Sequence, residues 1–385
     1  MREEKNKDKI IALFKPFENS VFPVKNRFVR AATYLAACTD EGRATPLSIS
    51  RQAETAAGGA GTVISEYAYI SPEGKSSPRQ WGIYDDRSVE DVRRLSSAIH
   101  AAGSKLVVQI CHTGGSRNPA VESPLPALSP SGEYPVAGCT SRAMKEEDIE
   151  KVIRDFAAAA KRAKEGGADG VEIHGAHGFL LMQFLSPLIN HREDRWGGCF
   201  ENRVRMLREV YAAVRGAVGE DFPVWAKISS REGIKGGYTS DEGVEASLTL
   251  LRDGVDVIEV SSGAGYSDAH YIPSVVGVSA GDSEAPSAEN AARIRAAAPK
   301  SSLVTLTGGL RSLPVIAALL EDGAADLFGI SRPFIAEPDL INRWAEDDSR
   351  PAACISCNAC FKTAAYGAID CPIMRNRQEG NWDPL

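Results

Sequence analysis

Two histidines, three residues apart, are the first sign of a chemical site in this sequence. Residues 171–174 form a short, β-rich run bounded by turn signals, which predicts a buried strand. His174 and His177 come at its carboxyl end, and the Gly and Ala between them allow a tight turn, so both imidazoles could face one cavity. Adjacent neutral imidazoles are good donors to a developing oxyanion. The residue types alone leave a metal pair or two ordinary loop histidines open.

A second group of residues is suited to binding an anion. Gly308 and Gly309 follow one short apolar run, and Ser331 and Arg332 follow the next. Glycines expose backbone amides, and a hydroxyl with a guanidinium adds donors, which is the chemistry that a phosphate requires. The alternative is a simple glycine turn and a surface arginine.

Four of the eight cysteines crowd into the end of the sequence. Cys354, Cys357 and Cys360 are each separated by two residues, and Cys371 follows after ten more. Clustered cysteines in a chain without an apparent secretion signal favour metal ligation over disulfides. The spacing suits zinc as well as an iron–sulfur cluster, and free thiols stay open as a third alternative.

Strands and helices that could position these residues alternate about eight times. The predicted strands are short apolar runs, typical of parallel strands buried on both faces. They cover residues 25–33, 61–69, 105–111, 171–174, 222–228, 255–260, 303–306 and 325–330. The predicted helices cover residues 46–57, 86–102, 145–165, 202–218, 240–253, 288–298, 313–322 and 338–345. Residues 113–143, rich in Pro, Ser and Gly, predict a lid or small hairpin.

This alternation predicts an α/β fold, a (β/α)8 TIM barrel followed by a Cys-rich C-terminal tail. A doubly wound sheet would need a glycine-rich turn after its first strand, where this chain has Ala-Ala-Thr-Tyr at 31–34. In such barrels the chemistry lies at the carboxyl ends of the strands, where the histidines and both anion-binding pairs fall. We expect a barrel over residues 1–345 and the tail over residues 346–385.

The composition limits the kinds of partner that this protein is expected to bind. The chain has 385 residues, 43% hydrophobic and 25% charged, with a net charge of −7 and no basic block, so nucleic acid is not an expected partner. No apolar run approaches the length of a membrane helix, and the charged start MREEKNKDKI lacks the apolar core of a signal peptide. We expect a soluble, cytoplasmic homo-oligomer that acts on a small-molecule substrate.

The chain resembles the old yellow enzyme family of FMN-dependent oxidoreductases, and most closely its branch with 2,4-dienoyl-CoA reductase, 2-enoate reductase and trimethylamine dehydrogenase. The resemblance runs in family order from residue 25 to about residue 344. Its motifs are KNRFVRAAT, LVVQICHTGG, GADGVEIHGAHGFLLMQFLSP with NHREDRWGG, IKGGYTSDEG, VTLTGGLRS and FGISRPFIAEPDLINRW.

The resemblance implies FMN at the mouth of the barrel and assigns roles to residues at the strand ends. Ala31, Ala32 and Thr33 would pack on the flavin, and Gln109 would bond its pyrimidine edge. Lys227 would stand near the flavin N1 and O2 atoms, where a cation stabilises the charge that develops on reduction. The phosphate would be held by Gly308, Gly309, Ser331 and Arg332.

The resemblance also implies a reaction. His174 and His177 would hold the carbonyl oxygen of an α,β-unsaturated substrate while hydride passes from flavin N5 to the activated C=C bond. The electrons would come from NAD(P)H or from a partner. An FMN-dependent amine dehydrogenase or demethylase and a non-catalytic FMN-binding barrel are the alternatives.

The chain departs from the family pattern at the proton donor. Phe179 stands where many relatives carry the tyrosine that protonates the substrate, and Phe cannot donate a proton. Tyr34, beside the predicted flavin site, is the favoured substitute, and Tyr67 and Tyr266 also follow predicted strands. The family's histidine after the sixth strand has no clear match, although Asp268 and His270 lie nearby.

The tail resembles the iron–sulfur ligand run of the larger relatives, although its last gap is slightly shorter. In those relatives further domains bind a second flavin and deliver electrons to the cluster. We therefore expect Cys354, Cys357, Cys360 and Cys371 to hold either a [4Fe–4S] cluster fed by a separate electron-donor protein or a zinc ion, with free thiols as the remaining alternative.

Overall fold

Eight parallel strands close into a barrel in the computed structural model, which describes residues 2–135, 140–267, 272–281 and 283–379. Asp268 and His270 lie outside the described residues. The strands of the described chain are β1 Phe28–Arg30, β2 Thr62–Ile64, β3 Ala68–Tyr69, β4 Lys105–Cys111, β5 Ala127–Ser129, β6 Ser141–Ala143, β7 Gly170–Gly175, β8 Val224–Ser229, β9 Val257–Ser261, β10 Leu303–Thr307 and β11 Leu327–Ile330.

The helices surround this barrel and continue into the tail. They are α1 Arg2–Phe14, α2 Pro46–Ala57, α3 Ser88–His100, α4 Glu146–Glu165, α5 Leu180–Leu185, α6 Phe200–Arg203, α7 Arg205–Val218, α8 Ser240–Asp253, α9 Ala288–Ala297, α10 Leu313–Glu321, α11 Arg332–Ala336, α12 Leu340–Ala345, α13 Ala359–Thr363 and α14 Pro372–Gln378, with a 3₁₀ turn at Pro72–Gly74. None of the helices in the described part of the chain is long and apolar enough to cross a membrane.

Parallel pairing confirms the (β/α)8 barrel. The order around the barrel is β2-β1-β11-β10-β9-β8-β7-β4, and β4 pairs with β2 to close it. Val29 of β1 is in register with Thr62 on one side and Gly329 on the other. All barrel strand ends therefore meet on one rim, as the sequence predicted.

The strands are apolar because both of their faces are buried. One face packs against the helices, as in α4, whose buried stripe includes Ile149, Val152 and Phe156. The other face fills the barrel interior with a smaller apolar cluster that includes Val29 and Trp225. Burial on both faces fixes each strand in register and leaves the rim free for polar side chains.

Three predicted elements differ in more than their end residues. The predicted strand 61–69 is interrupted between β2 and β3, because the Glu66 amide donates to the Gln52 side chain (3.0 Å) and leaves the ladder. The predicted helix 202–218 is divided at Val204 into α6 and α7. The loop at 113–143 contains β5 and β6, which pair in parallel and therefore do not form the hairpin that was one of the two expectations.

The tail packs on the rim of the barrel. Arg311 donates to the Cys354 carbonyl (2.6 Å), and the Ile369 amide donates to the Leu35 carbonyl (2.8 Å). Arg79 donates to the carbonyls of Ala364 (2.7 Å) and Gly367 (2.9 Å). These contacts tie the cysteine segment to the loops that follow β1, β3 and β10, beside the barrel mouth.

Candidate active site

A cavity with about 1030 Å³ of free volume, part of it open to solvent, lies at the carboxyl ends of the barrel strands. The predicted site residues that line it are Ala31, Ala32, Thr33, Tyr34, His177, Lys227, Gly308, Gly309, Ser331 and Arg332. His174 and Gln109 do not line it directly. His174 stands beside His177, and Gln109 lies deeper in the barrel, in the interior of β4.

The two histidines meet as the spacing predicted. Their ring centroids are 5.3 Å apart and their planes are nearly perpendicular, at 89°. His177 adopts a left-handed φ of +62°, and its amide donates to the Ser229 hydroxyl (3.1 Å), which holds the turn. The structure thus places His177 on the cavity wall and His174 directly beside it.

Both imidazoles are neutral in this environment. Burial, reinforced by the nearby Lys227 charge, lowers the pKa of His174 and of His177 well below the usual value. The Nδ1 atom of His174 accepts the Ala176 amide (3.3 Å), so its proton is assigned to Nε2. His177 Nε2 shares a hydrogen bond with the Ser261 hydroxyl (2.8 Å).

The anion-binding end of the cavity is built from glycine backbone. Gly308 and Gly309 have φ values of +112° and +74°, and a Cβ on Gly308 would meet nothing within 4 Å. Gly329 has the opposite property: a Cβ there would lie 1.8 Å from the Thr307 hydroxyl oxygen. The open space at Gly308 leaves room for a ligand, whereas a Cβ on Gly309 would lie 2.9 Å from Pro286. Gly329 lets β10 and β11 approach closely enough to form the cradle of Gly308 and Gly309.

Arg332 and Ser331 complete this end, and Arg332 also reaches the tail. The Ser331 hydroxyl hydrogen-bonds the Thr33 hydroxyl (2.8 Å). Arg332 donates to the Val275 carbonyl (2.9 Å) and to Asn358 Oδ1 (2.7 Å). The same guanidinium borders the main cavity and the cysteine cavity.

A buried polar network lies under the cavity, and sequence reasoning missed its two carboxyl groups. Lys227 Nζ lies 2.8 Å from Glu259 Oε1, and both side chains are almost completely buried. Gln109 donates through Nε2 to Glu172 Oε2 (2.5 Å), while Gln109 Oε1 has no partner among the described residues. The sequence did contain a signal for them, because each of two apolar strand runs includes one glutamate. A buried glutamate is costly without a partner, so each of these residues predicts a polar neighbour.

The candidate proton donors differ in their surroundings. Tyr34 lines the cavity and its hydroxyl donates to the Pro78 carbonyl; burial, then the Glu66 charge, raises its pKa to about 12. Tyr67 also lines the cavity, with its ring 5.4 Å from Phe179 and 6.2 Å from His174. Tyr266 is engaged with Glu232 Oε1 (2.9 Å).

The four tail cysteines face a second cavity with about 350 Å³ of free volume. Cys354, Cys357, Cys360 and Cys371 all line it, together with Arg332. Within the described parts of the chain, no three His, Cys, Asp or Glu side chains converge closely enough to hold a single metal ion. The structure therefore brings the cysteines around one space without directing their sulfurs to one point.

The main cavity fits FMN in its chemistry. It offers a glycine cradle for a phosphate and the Lys227 cation, and deeper in the barrel lies a Gln109 oxygen that has no partner within the described parts of the chain. A (β/α)8 barrel with this cradle at its last two strands and donors at its mouth is the architecture of a phosphate-bearing cofactor enzyme.

The comparisons with known proteins identify the family. Residues 12–350 match the model of the NADH:flavin oxidoreductase / NADH oxidase family. The chain belongs to this family of FMN-dependent oxidoreductases, which confirms the resemblance drawn from its motifs.

Similar proteins include enzymes of different named activities. The chain is 34% identical to N,N-dimethylglycine/sarcosine dehydrogenase of Chromohalobacter salexigens over 95% of its own length and 53% of that protein. It is 33% identical to NADPH dehydrogenase of Geobacillus sp. (strain WCH70) over 85% of its length and 91% of that protein. The structure of 2-naphthoyl-CoA reductase with 2-naphthoyl-CoA superimposes with a TM-score of 0.86 at 27% identity, covering 97% of this chain and 58% of that one. The chain thus spans about half the length of several relatives.

Proposed function

We propose that this protein uses FMN to reduce the activated C=C bond of an α,β-unsaturated carbonyl compound, with electrons from NAD(P)H or from a partner. The observation that carries the proposal is a pair of neutral, buried imidazoles at a cavity with a glycine phosphate cradle: His177 lines the cavity and His174 lies beside it. Neutral N–H donors stabilise a carbonyl oxygen as it gains negative charge, and they do so best where water is excluded.

The proposed FMN contacts follow from where the residues lie at the mouth of the barrel and, for Gln109, below it. Bound FMN would supply hydride transfer through its N5 atom. Gly308, Gly309 and Ser331 would hold the phosphate, with Arg332 adding charge. Ala31, Ala32 and Thr33 would support the ring, and Lys227 would face its pyrimidine edge with Gln109 below.

The protein must also supply a proton to the second carbon of the alkene. We propose Tyr34 as the donor, because it lines the cavity and stays protonated at neutral pH. Tyr67 is the competing candidate, since its ring packs against Phe179, the residue that replaces the usual tyrosine.

Oxidation of an amine is the second candidate function. It is favoured by the likeness to N,N-dimethylglycine/sarcosine dehydrogenase along almost the whole chain. The aromatic rings of Tyr34, Tyr67 and Phe361 also line the cavity, and aromatic faces attract alkylammonium groups.

We further propose that the tail holds a [4Fe–4S] cluster. Each cysteine of such a cluster binds a different iron, so the sulfurs surround a space, whereas four zinc ligands converge on one ion. Four cysteines that all line one cavity suit such an arrangement, and a zinc ion at the same place is the alternative. Arg332 lines both cavities, which supports a position for this centre next to the proposed flavin site.

An electron-donor protein would then have a surface to bind. Large apolar side chains are exposed on the tail at Ile355, Phe361 and Tyr366, the last with 94% exposure. Val276 is also exposed, next to Gly277, whose amide donates to the tail at Ser356 (3.2 Å). Exposed apolar groups concentrated in one region are typical of an interaction surface.

The test of the main proposal uses the purified, FMN-reconstituted protein. We expect a yellow protein whose flavin absorbance bleaches anaerobically with NADH, with NADPH or with a reduced electron-donor protein. Adding an α,β-unsaturated ketone should restore the oxidised spectrum, whereas sarcosine should instead bleach the oxidised protein if the amine reaction is correct. Protein that takes up no FMN would refute both.

A further inference from the structure

The carboxyl groups beneath the flavin site form a chain that ends at Lys227. The register places Lys227 beside Glu259 on β8 and β9, and Gln109 beside Glu172 on β4 and β7. All four side chains are at least 97% buried. Two carboxylates and one ammonium inside a barrel cannot all be charged without a large desolvation cost, so one carboxyl must carry a proton.

The geometry identifies which carboxyl that is. Glu259 is in direct contact with the Lys227 ammonium, whereas the nearest donor to Glu172 is the neutral amide of Gln109. Burial, and then the Glu259 charge, raise the pKa of Glu172 well above its usual value. Burial alone would raise the pKa of Glu259 too, but Lys227 holds it below the usual value.

Two unpaired oxygens support the same assignment. Glu172 Oε1 and Glu259 Oε2 have no conventional partner in the described structure, although the two carboxyl groups interact with each other. A proton on Glu172 shared with Glu259 would satisfy both oxygens at once.

We propose that Glu259, with Glu172 as its protonated neighbour, sets the reduction potential of bound FMN by neutralising the charge that Lys227 presents to the cavity. Both glutamates are positioning residues, because they act through Lys227, which lines the cavity while they do not. The proposal rests on FMN binding with its pyrimidine edge toward Lys227. Reduced flavin carries negative charge at that edge, so a more positive Lys227 would favour the reduced form.

The test compares two isosteric variants by equilibrating the bound flavin with a reference dye. Glu172→Gln replaces a neutral acid with a neutral amide, so the potential should not move. The double variant Glu172→Gln/Glu259→Gln removes the negative charge of Glu259. It also prevents Glu172 from ionising to compensate for that loss. We expect this double variant to favour reduced FMN by about tenfold or more, which is about 30 mV for a two-electron couple.

The outcomes separate this inference from the proposed function. An unchanged or lower potential in the double variant, with FMN bound, would overturn the role of Glu259 alone. Wild-type protein that binds no FMN would instead overturn the proposed function. A second measurement does not require the double variant to fold: the infrared spectrum of wild-type protein should contain a protonated carboxyl band that Glu172→Gln lacks, and its absence in wild type would contradict the shared proton.

Discussion

At the scale of single residues, the site depends on side chains that are kept neutral by burial. Burial and Lys227 together lower the pKa of His174 and His177, so neither imidazole gains a charge near neutral pH. A protonated pair would attract anions, but its positive charge would be repelled by the nearby Lys227 ammonium. Neutral donors instead become most effective when the substrate oxygen gains charge.

The histidine pair yields the first residue-scale prediction. Replacing both His174 and His177 with Ala should abolish the charge-transfer band that a phenol forms with the flavin, because the phenolate oxygen loses both donors. FMN content should stay the same, since neither imidazole belongs to the phosphate cradle. A phenol titration followed by visible spectroscopy checks this, and an unaltered band would assign the pair another role.

The second residue-scale prediction concerns the proton donor. Tyr34→Phe should slow reoxidation of reduced flavin by an alkene by about 10²-fold or more, the scale of a lost general acid. Tyr67→Phe is the matched control, because it removes a hydroxyl from the same wall of the cavity. If Tyr67→Phe slows the reaction and Tyr34→Phe does not, the assignment is reversed.

Phe179→Tyr should be tolerated in the same assay. It adds a hydroxyl to the cluster of rings that Phe179 forms with Tyr67 and His174, whose centroids lie 5.4 and 4.8 Å from the Phe179 ring. A faster alkene reaction in this variant would show that the wild-type site works without a donor at that position.

At the scale of elements, the phosphate cradle depends on how closely two strands approach. Thr307 of β10 fills the space that a Cβ at Gly329 of β11 would need. The cradle at Gly308 and Gly309 therefore depends on the close contact between Thr307 and Gly329, which also line the cavity.

Gly329→Ala tests this dependence. The added methyl group should force β10 and β11 apart, destabilise the protein by about 1–3 kcal/mol and weaken FMN binding. Gly216→Ala is the control, because Gly216 lies inside α7 with open space around it and should gain about 0.5–1 kcal/mol. Thermal unfolding and FMN titration measure both effects, and equal behaviour of the two variants would contradict the packing argument.

At the scale of the whole molecule, the tail and the barrel form one connected site. Arg311, Arg79 and Leu35 of the barrel fix the tail through its backbone. Phe361, one residue beyond Cys360, lines the main cavity. Whatever the cysteines bind should therefore affect the flavin site.

Metal content after anaerobic purification tests the tail. A [4Fe–4S] cluster should give about four iron atoms per chain and a broad visible absorbance beneath that of the flavin. Cys371→Ser should lose the iron, whereas Cys199→Ser, an exposed cysteine outside the tail, should keep it. One zinc per chain would indicate a structural zinc site instead of the cluster. Four freely titrating thiols without metal would refute both assignments.

The sequence by itself determined the barrel, because eight short apolar runs between amphipathic helices have few other ways to bury both faces of every strand. It also indicated most of the residues that line the mouth, since a side chain at the end of a parallel strand lies there, whereas Gln109 lies deeper, inside β4. Helices 46–57 and 240–253 and strand 105–111 were predicted with the bounds observed, because strong caps or turns delimit them.

Only the tertiary structure decided which side chains meet across the barrel. Glu172 and Glu259 are separated by 87 residues and become neighbours of Gln109 and Lys227 through strand register, which no local pattern encodes. The same holds for Arg332, which reaches Asn358 of the tail, and for Thr307 against Gly329. The contacts within the barrel depend on the shear and close packing of the closed sheet, and the Arg332 contact depends on how the tail folds back onto the rim.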